Sequence, residues 1–268
     1  MIGLAISNIA WPEAEDEAAL ALAASSGFTA LELAPAKAFG AWATMDPAGV
    51  RGVAACLAAR GLPVVALQGI VFGIAGAKLF GSREEQAALA RHLRFVARIG
   101  GACGGVPCVF GAPGLRDPGQ RSPTDARTMA AAFFAAVAPA FAAEGASLAL
   151  EAIPVDYGCR FVTSTAAAID LVREVATPGF GLQIDTGTML TNAEDPALLA
   201  RAAPLAVHCH ASVPGLGPVA PHAAALAPLA AALRAAGWRR IVSVEMRASP
   251  DWRTAVREAG AAMLPIWG

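Results

Sequence analysis

Short apolar runs rich in β-branched residues alternate along the chain with longer stretches rich in alanine, leucine and arginine, which predicts a series of strand–helix units. Glycines such as Gly27, Gly61 and Gly145 close a helical stretch just before the next strand. The apolar runs predict eight strands, at residues 2–6, 29–33, 63–67, 105–110, 147–151, 180–185, 205–210 and 241–246. The stretches after them predict eight helices, near residues 13–26, 48–60, 83–99, 124–143, 164–175, 195–202, 222–236 and 251–263.

Capping residues support several of the predicted helix starts, and two prolines fall inside predicted helices. Ser82 and Glu85 have the spacing of a capping box, and Ser122 stands before a proline at the first helical position. Because proline lacks an N–H and its ring crowds the preceding turn, we expect a kink or a break at Pro139 and at Pro228.

Eight such units without a break in composition predict an α/β fold, a closed (β/α)₈ TIM barrel that forms one domain over residues 1–268. The alternative is an open, doubly wound sheet, which would place a glycine-rich phosphate-binding turn after the first strand. The segment at that position, SNIAWPEAED, contains no GxGxxG pattern. The closed barrel is therefore favoured.

Charge and cysteine content restrict the class of protein. The formal net charge is −1, and Lys37 and Lys78 are the only lysines, so the sequence lacks the basic patch of a nucleic-acid-binding protein. The five cysteines form no CxxC pair, which fits free thiols in a reducing cytoplasm. We expect a cytoplasmic protein that does not bind nucleic acid.

Hydrophobic residues make up 56% of the chain, but the excess is mostly alanine. The longest apolar stretch, residues 129–143, is shorter than the roughly 20 residues needed to span a bilayer, contains Pro139 and runs into Glu144. This stretch predicts a buried helix and no membrane association. The N-terminal segment MIGLAISNIAWP lacks the basic start of a signal peptide.

Ionisable residues end four consecutive predicted strands, the fifth to the eighth. They are Glu151, Asp185, His210 and Glu245. In a closed barrel these strand ends meet at the rim where active sites lie. Three carboxylates and an imidazole that converge there would repel each other and lose their hydration unless a cation balances them. The sequence therefore predicts a site for one divalent metal ion, such as Mn²⁺, Mg²⁺, Co²⁺ or Zn²⁺.

Side-chain alternation places further polar residues on the inward face of the strands. Glu32 and Gln68, at the ends of the second and third strands, are candidates to bind substrate hydroxyl groups or to cap the barrel core. His208, one step deeper than His210, is a candidate for substrate binding, for support of His210 or for a core hydrogen bond. Arg247 could bind a carboxylate or phosphate group, or pair with a ligand glutamate.

Four motifs at the expected strands, LALEAIP, LQIDTG, HCHAS and VSVEM, resemble the xylose isomerase-like sugar phosphate isomerase/epimerase superfamily. That group includes ketose 3-epimerases, inosose dehydratases, 3-dehydroshikimate dehydratases and endonuclease IV. The resemblance implies the same TIM barrel and the same four ligands, Glu151, Asp185, His210 and Glu245. In the ketose 3-epimerases the two glutamates also act as an acid/base pair on opposite faces of the substrate.

The chain departs from the epimerase pattern at three positions. Thr188 stands where those epimerases have a histidine, Leu216 where they have a substrate-binding arginine, and Tyr157 where they have a second glutamate. Endonuclease IV needs additional histidines and carboxylates for a three-metal cluster, and four histidines are too few for it. The four metal ligands therefore follow the epimerase pattern better than the residues that would bind the substrate.

The resemblance implies a divalent-metal-dependent isomerase or epimerase of a small sugar or another polyhydroxylated carbonyl compound, with Mn²⁺ as the favoured metal. Glu151 and Glu245 would transfer protons through an enediolate bound to the metal. One alternative is a dehydratase of the inosose or dehydroshikimate type on the same barrel. Another is a barrel that binds a ligand or partner without catalysis. Relatives of this kind often form dimers, so a homodimer is also an expectation.

Overall fold

Eight parallel strands close into a barrel in the order in which they occur along the chain, and β8 pairs with β1. The computed structural model describes residues 3–268, so Ile2 of the first predicted strand lies outside the described residues. The strands β1 to β8 are Leu4–Ser7, Ala30–Leu33, Val64–Leu67, Pro107–Phe110, Ser147–Glu151, Phe180–Asp185, Ala206–Ala211 and Val242–Val244. The predicted closed barrel is confirmed.

Helices follow the strands and form the outer layer. In chain order, α1 to α10 are Asp16–Ser25, Pro35–Ala38, Pro47–Ala59, Arg83–Ala102, Pro123–Ala143, Thr165–Val175, Thr186–Thr191, Leu199–Ala202, Ala223–Ala235 and Trp252–Trp267. The short helices α2 and α7 lie in regions predicted as loops. The predicted helix at 195–202 is instead a 3₁₀ turn, Pro196–Leu198, followed by the single turn α8.

The expected break at the two internal prolines is not present. Helix α5 continues through Pro139 and α9 continues through Pro228, each as one uninterrupted helix. Proline removes one main-chain donor, which costs one hydrogen bond at each position without ending the helix. The predicted split is therefore absent at both prolines, and the kink stays a prediction.

The long apolar helix α5 packs against the barrel through one stripe of residues. Ala126, Ala130, Phe134 and Phe141 recur at helical spacing and are buried. The ring of Phe134 stacks on Phe180 of β6 with centroids 4.8 Å apart and contacts Phe110 of β4 edge-on at 5.7 Å. By length and composition this is the one described helix that could cross a membrane, but its packing is that of a barrel helix.

The aromatic contacts of Phe134 give a stability prediction. Phe134→Ala removes a fully buried ring, and we expect the free energy of unfolding to fall by about 3–5 kcal/mol through lost burial and the cavity left behind. Phe72→Ala removes a ring that is 75% exposed and serves as the control, with little expected change. Urea unfolding followed by circular dichroism measures both, and equal stabilities would contradict the packing described for α5.

Candidate metal centre

The four acidic and imidazole strand ends lie together at one rim of the barrel. Glu151 ends β5, Asp185 ends β6, His210 lies near the end of β7, and Glu245 directly follows β8. One ligand atom from each lies within 4.8 Å of the others, and all four residues are buried. They converge because parallel strands end at the same level, with Asp185 directly opposite His210 in the β6–β7 pairing.

The imidazole of His210 occupies the centre of the cluster. Its Nδ1 lies 3.1 Å from Glu245 Oε2, 3.3 Å from Glu151 Oε1 and 3.7 Å from Asp185 Oδ2. Its other nitrogen, Nε2, lies 2.9 Å from Oε1 of the fully buried Glu32 and donates a hydrogen bond to it. The Nδ1 atom has no hydrogen-bond partner among the described residues.

This donor set fits a divalent metal ion. A histidine that donates one ring N–H to a carboxylate and directs its other nitrogen towards further ligands has the arrangement found in metal sites. An ion among the four residues would satisfy the buried Nδ1 of His210 and give the three carboxylates an opposite charge. The cluster of Glu151, Asp185, His210 and Glu245 can therefore hold a metal ion.

The pKa values show how strongly the cluster stabilises positive charge. Burial raises the pKa of Glu151 to about 7, and the nearby charges of Asp185 and Glu245 add to this effect. Burial also raises the pKa of Glu245. Burial alone would lower the pKa of His210, but the charges of Glu32 and Glu245 raise it well above its usual value. A cation at the centre of the cluster relieves the repulsion that these shifts reflect.

Hydrogen bonds from α7 and the loop after β7 fix the carboxylate of Asp185. Asp185 caps the N-terminus of α7, where its Oδ1 accepts from the main-chain N–H of Thr188. Its Oδ2 accepts from the hydroxyl of Ser212, which in turn accepts from the N–H of Gly187 at 2.8 Å. The sequence analysis did not identify Ser212, although its position two residues after His210 places it on the same face of the strand.

Two residues from the segment after β4 hold Glu151 in place, and the sequence analysis missed both. A Cβ atom added at Gly111 would lie 2.5 Å from Glu151 Oε2, so only glycine leaves room for this carboxylate. Arg116 is fully buried, and its Nη1 donates to the main-chain oxygen of Glu151 at 2.7 Å. An arginine in the polar segment LRDPG is typical of an exposed loop, and no local pattern reveals its burial.

The candidate substrate-binding residues lie at different depths. Glu32 and His208 lie in the barrel interior with Glu32 Oε2 and His208 Nε2 3.5 Å apart, and neither lines the cavity at the rim. Their positions favour support of His210 over substrate contact. Gln68 lines the cavity, with its amide nitrogen donating to Ser7. Arg247 also lines the cavity. Direct contact of these residues with a substrate stays a prediction.

The cavity above the metal ligands has two lobes that meet at Glu151 and Ile153. The first lobe has a volume of about 370 Å³ and also contains Asp185, Glu245 and Arg247. The second lobe, about 380 Å³, lies beside the loops after β3 and β4 and reaches His210. Each lobe is large enough for a small organic molecule.

The three departures from the epimerase pattern all lie around the first lobe, and two of them are tied to neighbouring loops. The hydroxyl of the buried Thr188 donates to the main-chain oxygen of Ala152 at 2.8 Å. The hydroxyl of Tyr157 accepts from the N–H of Gly215 at 2.7 Å, which joins the loops after β5 and β7. Leu216 contributes an apolar wall.

Comparison with known proteins defines the class. The family described as xylose isomerase-like TIM barrel matches residues 20–265, and the chain belongs to this family. No curated protein sequence matches the chain.

Solved structures with the same barrel cover almost the whole chain. The structure of an L-ribulose 3-epimerase has a TM-score of 0.78 and 21% identity, covering 100% of this chain and 95% of the other. The 3-keto-D-glucoside 4-epimerase YcjR from E. coli has a TM-score of 0.77 and 20% identity, covering 99% and 100%. A D-psicose 3-epimerase from Clostridium cellulolyticum H10, solved with D-tagatose, has a TM-score of 0.73 and 16% identity, covering 99% of each chain. At these identities the likeness establishes the fold.

The hydrogen bond from His210 to Glu32 gives a testable prediction for metal affinity. Glu32→Gln replaces the carboxylate that accepts from Nε2, so the imidazole becomes less basic and less well oriented at Nδ1. We expect the affinity for Mn²⁺, measured by isothermal titration calorimetry, to fall about 10- to 100-fold.

Glu258→Gln makes the same chemical change at an exposed position on α10 and should leave Mn²⁺ affinity unchanged. Circular dichroism of both variants checks that the barrel is intact. Wild-type affinity in a folded Glu32→Gln protein would show that Glu32 does not support the metal site.

Proposed function

We propose that this protein is a divalent-metal-dependent isomerase or epimerase of a small polyhydroxylated carbonyl compound. The observation that carries the proposal is the position of two buried carboxylates, Glu151 on β5 and Glu245 after β8, which flank His210 and both line the first lobe. The two intervening strands separate them, so a substrate between them has a carboxylate on each side. The family and the epimerases that share this barrel support the same class of reaction.

The four ligands supply three carboxylates and one imidazole, a set that suits Mn²⁺ and also accepts Mg²⁺, Co²⁺ or Zn²⁺. The described residues around the cluster offer no thiolate, because Cys209 is turned away on the outer face of β7 and burial raises the pKa of its thiol. The bound metal would act as a Lewis acid that polarises the substrate carbonyl and acidifies the adjacent C–H.

The two glutamates divide the proton transfer between them. One carboxylate removes the proton from the carbon beside the carbonyl, and the electron pair of that C–H bond moves into an enediolate. The other glutamate, protonated, returns a proton. Return to the same carbon from the opposite face inverts its configuration, which is epimerisation. Return to the former carbonyl carbon, with the hydroxyl proton passing from one oxygen to the other, exchanges the positions of carbonyl and hydroxyl, which is isomerisation.

A dehydratase is the second candidate. Proton removal would be the same, but the enediolate would then lose a hydroxide from the next carbon and leave a conjugated carbonyl compound. Thr188 and Leu216 do not repeat the substrate contacts of the sugar epimerases, because one hydroxyl is already bonded to Ala152 and the other side chain is apolar, so the dehydratase is kept as an alternative. The conjugated product absorbs ultraviolet light, which an epimerised sugar does not.

Solvent exchange tests the proposal. Mn²⁺-loaded protein is incubated in D₂O with ketoses, inososes and polyhydroxylated keto acids, and deuterium next to the carbonyl is measured by mass spectrometry. We expect Glu151→Gln and Glu245→Gln each to slow exchange by about 10²- to 10⁴-fold, because each removes an acid/base group. Saturating Mn²⁺, with occupancy measured directly, separates this loss from weaker metal binding.

Glu258→Gln is the matched control and should exchange at the wild-type rate. Retained exchange in both site variants would contradict the assigned acid/base pair. A wild-type protein that binds Mn²⁺ and exchanges deuterium into none of these compounds would favour a barrel that binds its ligand without catalysis.

A further inference from the structure

Arg247 is the one lysine or arginine among the described residues that line either lobe of the cavity. It follows the ligand Glu245 by two residues, yet its side chain makes no hydrogen bond or ion pair with any residue that the structure describes. Other arginines, including Arg60, Arg127 and Arg253, pair with carboxylates. Arg247 is exposed at the wall of the lobe that contains Glu151, Asp185 and Glu245, so all the donors of its guanidinium group are available to a ligand there.

The main chain around Arg247 is fixed, although its side chain has no partner. The N–H of Arg247 donates to the oxygen of Leu216 at 2.8 Å, and the N–H of Ala248 donates to the oxygen of Ile9 at 2.8 Å. The N–H of Glu245 donates to the oxygen of Ala211 at 3.1 Å. Each of these bonds joins the segment to a neighbouring strand or loop, so the base of the arginine side chain is positioned before any ligand binds.

The wall around this guanidinium offers few other groups for an anion. Much of the lobe is apolar, with Pro113, Ile153, Pro154, Val213 and Leu216. The nearby main-chain amides are already used: Gly215 donates to Tyr157, and Leu216 donates to the oxygen of Val213 at 3.0 Å. Apart from a metal ion bound at the ligands, an anion in this lobe would rely on one positive charge, that of Arg247.

We propose that Arg247 is a specificity-determining residue that binds a carboxylate of the substrate, which makes the substrate a polyhydroxylated keto acid rather than a neutral sugar. The proposal rests on the proposed function, because it places the reacting carbonyl at the metal ligands. A guanidinium group binds a carboxylate through two parallel hydrogen bonds, and the two single charges balance. A phosphate dianion carries a second charge that no other lysine or arginine of the lobe would balance.

Matched ligands that differ only at carbon 6 test this assignment. D-Fructose, D-fructuronate and D-fructose 6-phosphate form one series, and D-tagatose, D-tagaturonate and D-tagatose 6-phosphate form a second. Their binding to Mn²⁺-loaded protein is measured by isothermal titration calorimetry, which needs no turnover. We expect the uronate of at least one series to bind about 10- to 100-fold more tightly than its neutral ketose, the range for hydrogen bonds to a charged group.

Variants separate binding by Arg247 from binding by the metal. Arg247→Ala should abolish the preference for the uronate and leave affinity for the neutral ketose unchanged, while Arg247→Lys should keep part of the preference. Arg91→Ala removes the same charge from an exposed position on α4 and should behave as wild type. Mn²⁺ affinity, measured in each variant, should stay at the wild-type value.

Several results would overturn the proposal. These are a preference for the uronate that persists in Arg247→Ala, tightest binding by the phosphate ester through Arg247, equal affinity across both series, or binding by no ligand of either series. The solvent-exchange experiment distinguishes failure of the role assigned to Arg247 from failure of the proposed function. Exchange that is equal for neutral and acidic ligands contradicts only the role of Arg247, whereas uronate binding that depends on Arg247 without any exchange contradicts only the reaction.

Discussion

The hydrogen bond between Nε2 of His210 and the buried carboxylate of Glu32 is the interaction on which the rest of the site depends. It fixes the ring so that Nδ1 is directed at three carboxylates, a position that is favourable only when a positive charge lies between them. Glu32 comes from β2, on the far side of the barrel from β7. Barrel closure therefore assembles the candidate metal site, because it brings side chains of these two strands together.

The other ligands are supported from outside the barrel interior. Asp185 is held by the start of α7 and by Ser212, and Glu151 is held by Arg116 and by the space that Gly111 leaves. The two bonds to Asp185 act on its carboxylate, whereas Arg116 fixes the main chain of Glu151. The cost of bringing these charges together is thus distributed over segments that follow three different strands, β4, β6 and β7.

The features that the sequence could predict are those set by residues close together in the chain. The alternation along β5 and β6 is local, so the ends at Glu151 and Asp185 were placed correctly and the barrel followed from the repeat. Helix α7 was missed because it is only six residues long and its cap is the metal ligand itself. Glu32 was recognised as inward-facing, but its partner is 178 residues away in the chain. Arg116 was missed because only tertiary packing buries it.

The part of the first lobe away from the metal-ligand residues offers fewer polar groups than the candidate metal site. The hydroxyl of Thr188 donates to the main-chain oxygen of Ala152, the hydroxyl of Tyr157 accepts from the N–H of Gly215, and Leu216 offers no polar group. The first lobe therefore offers few donors that could bind individual hydroxyl groups of a substrate. A single directed charge can replace several weak polar contacts, because a charge-assisted pair is stronger than a neutral hydrogen bond and rejects ligands that lack the charge. The unpaired guanidinium group of Arg247, fixed at its base and exposed at the wall of the first lobe, is suited to that kind of selection.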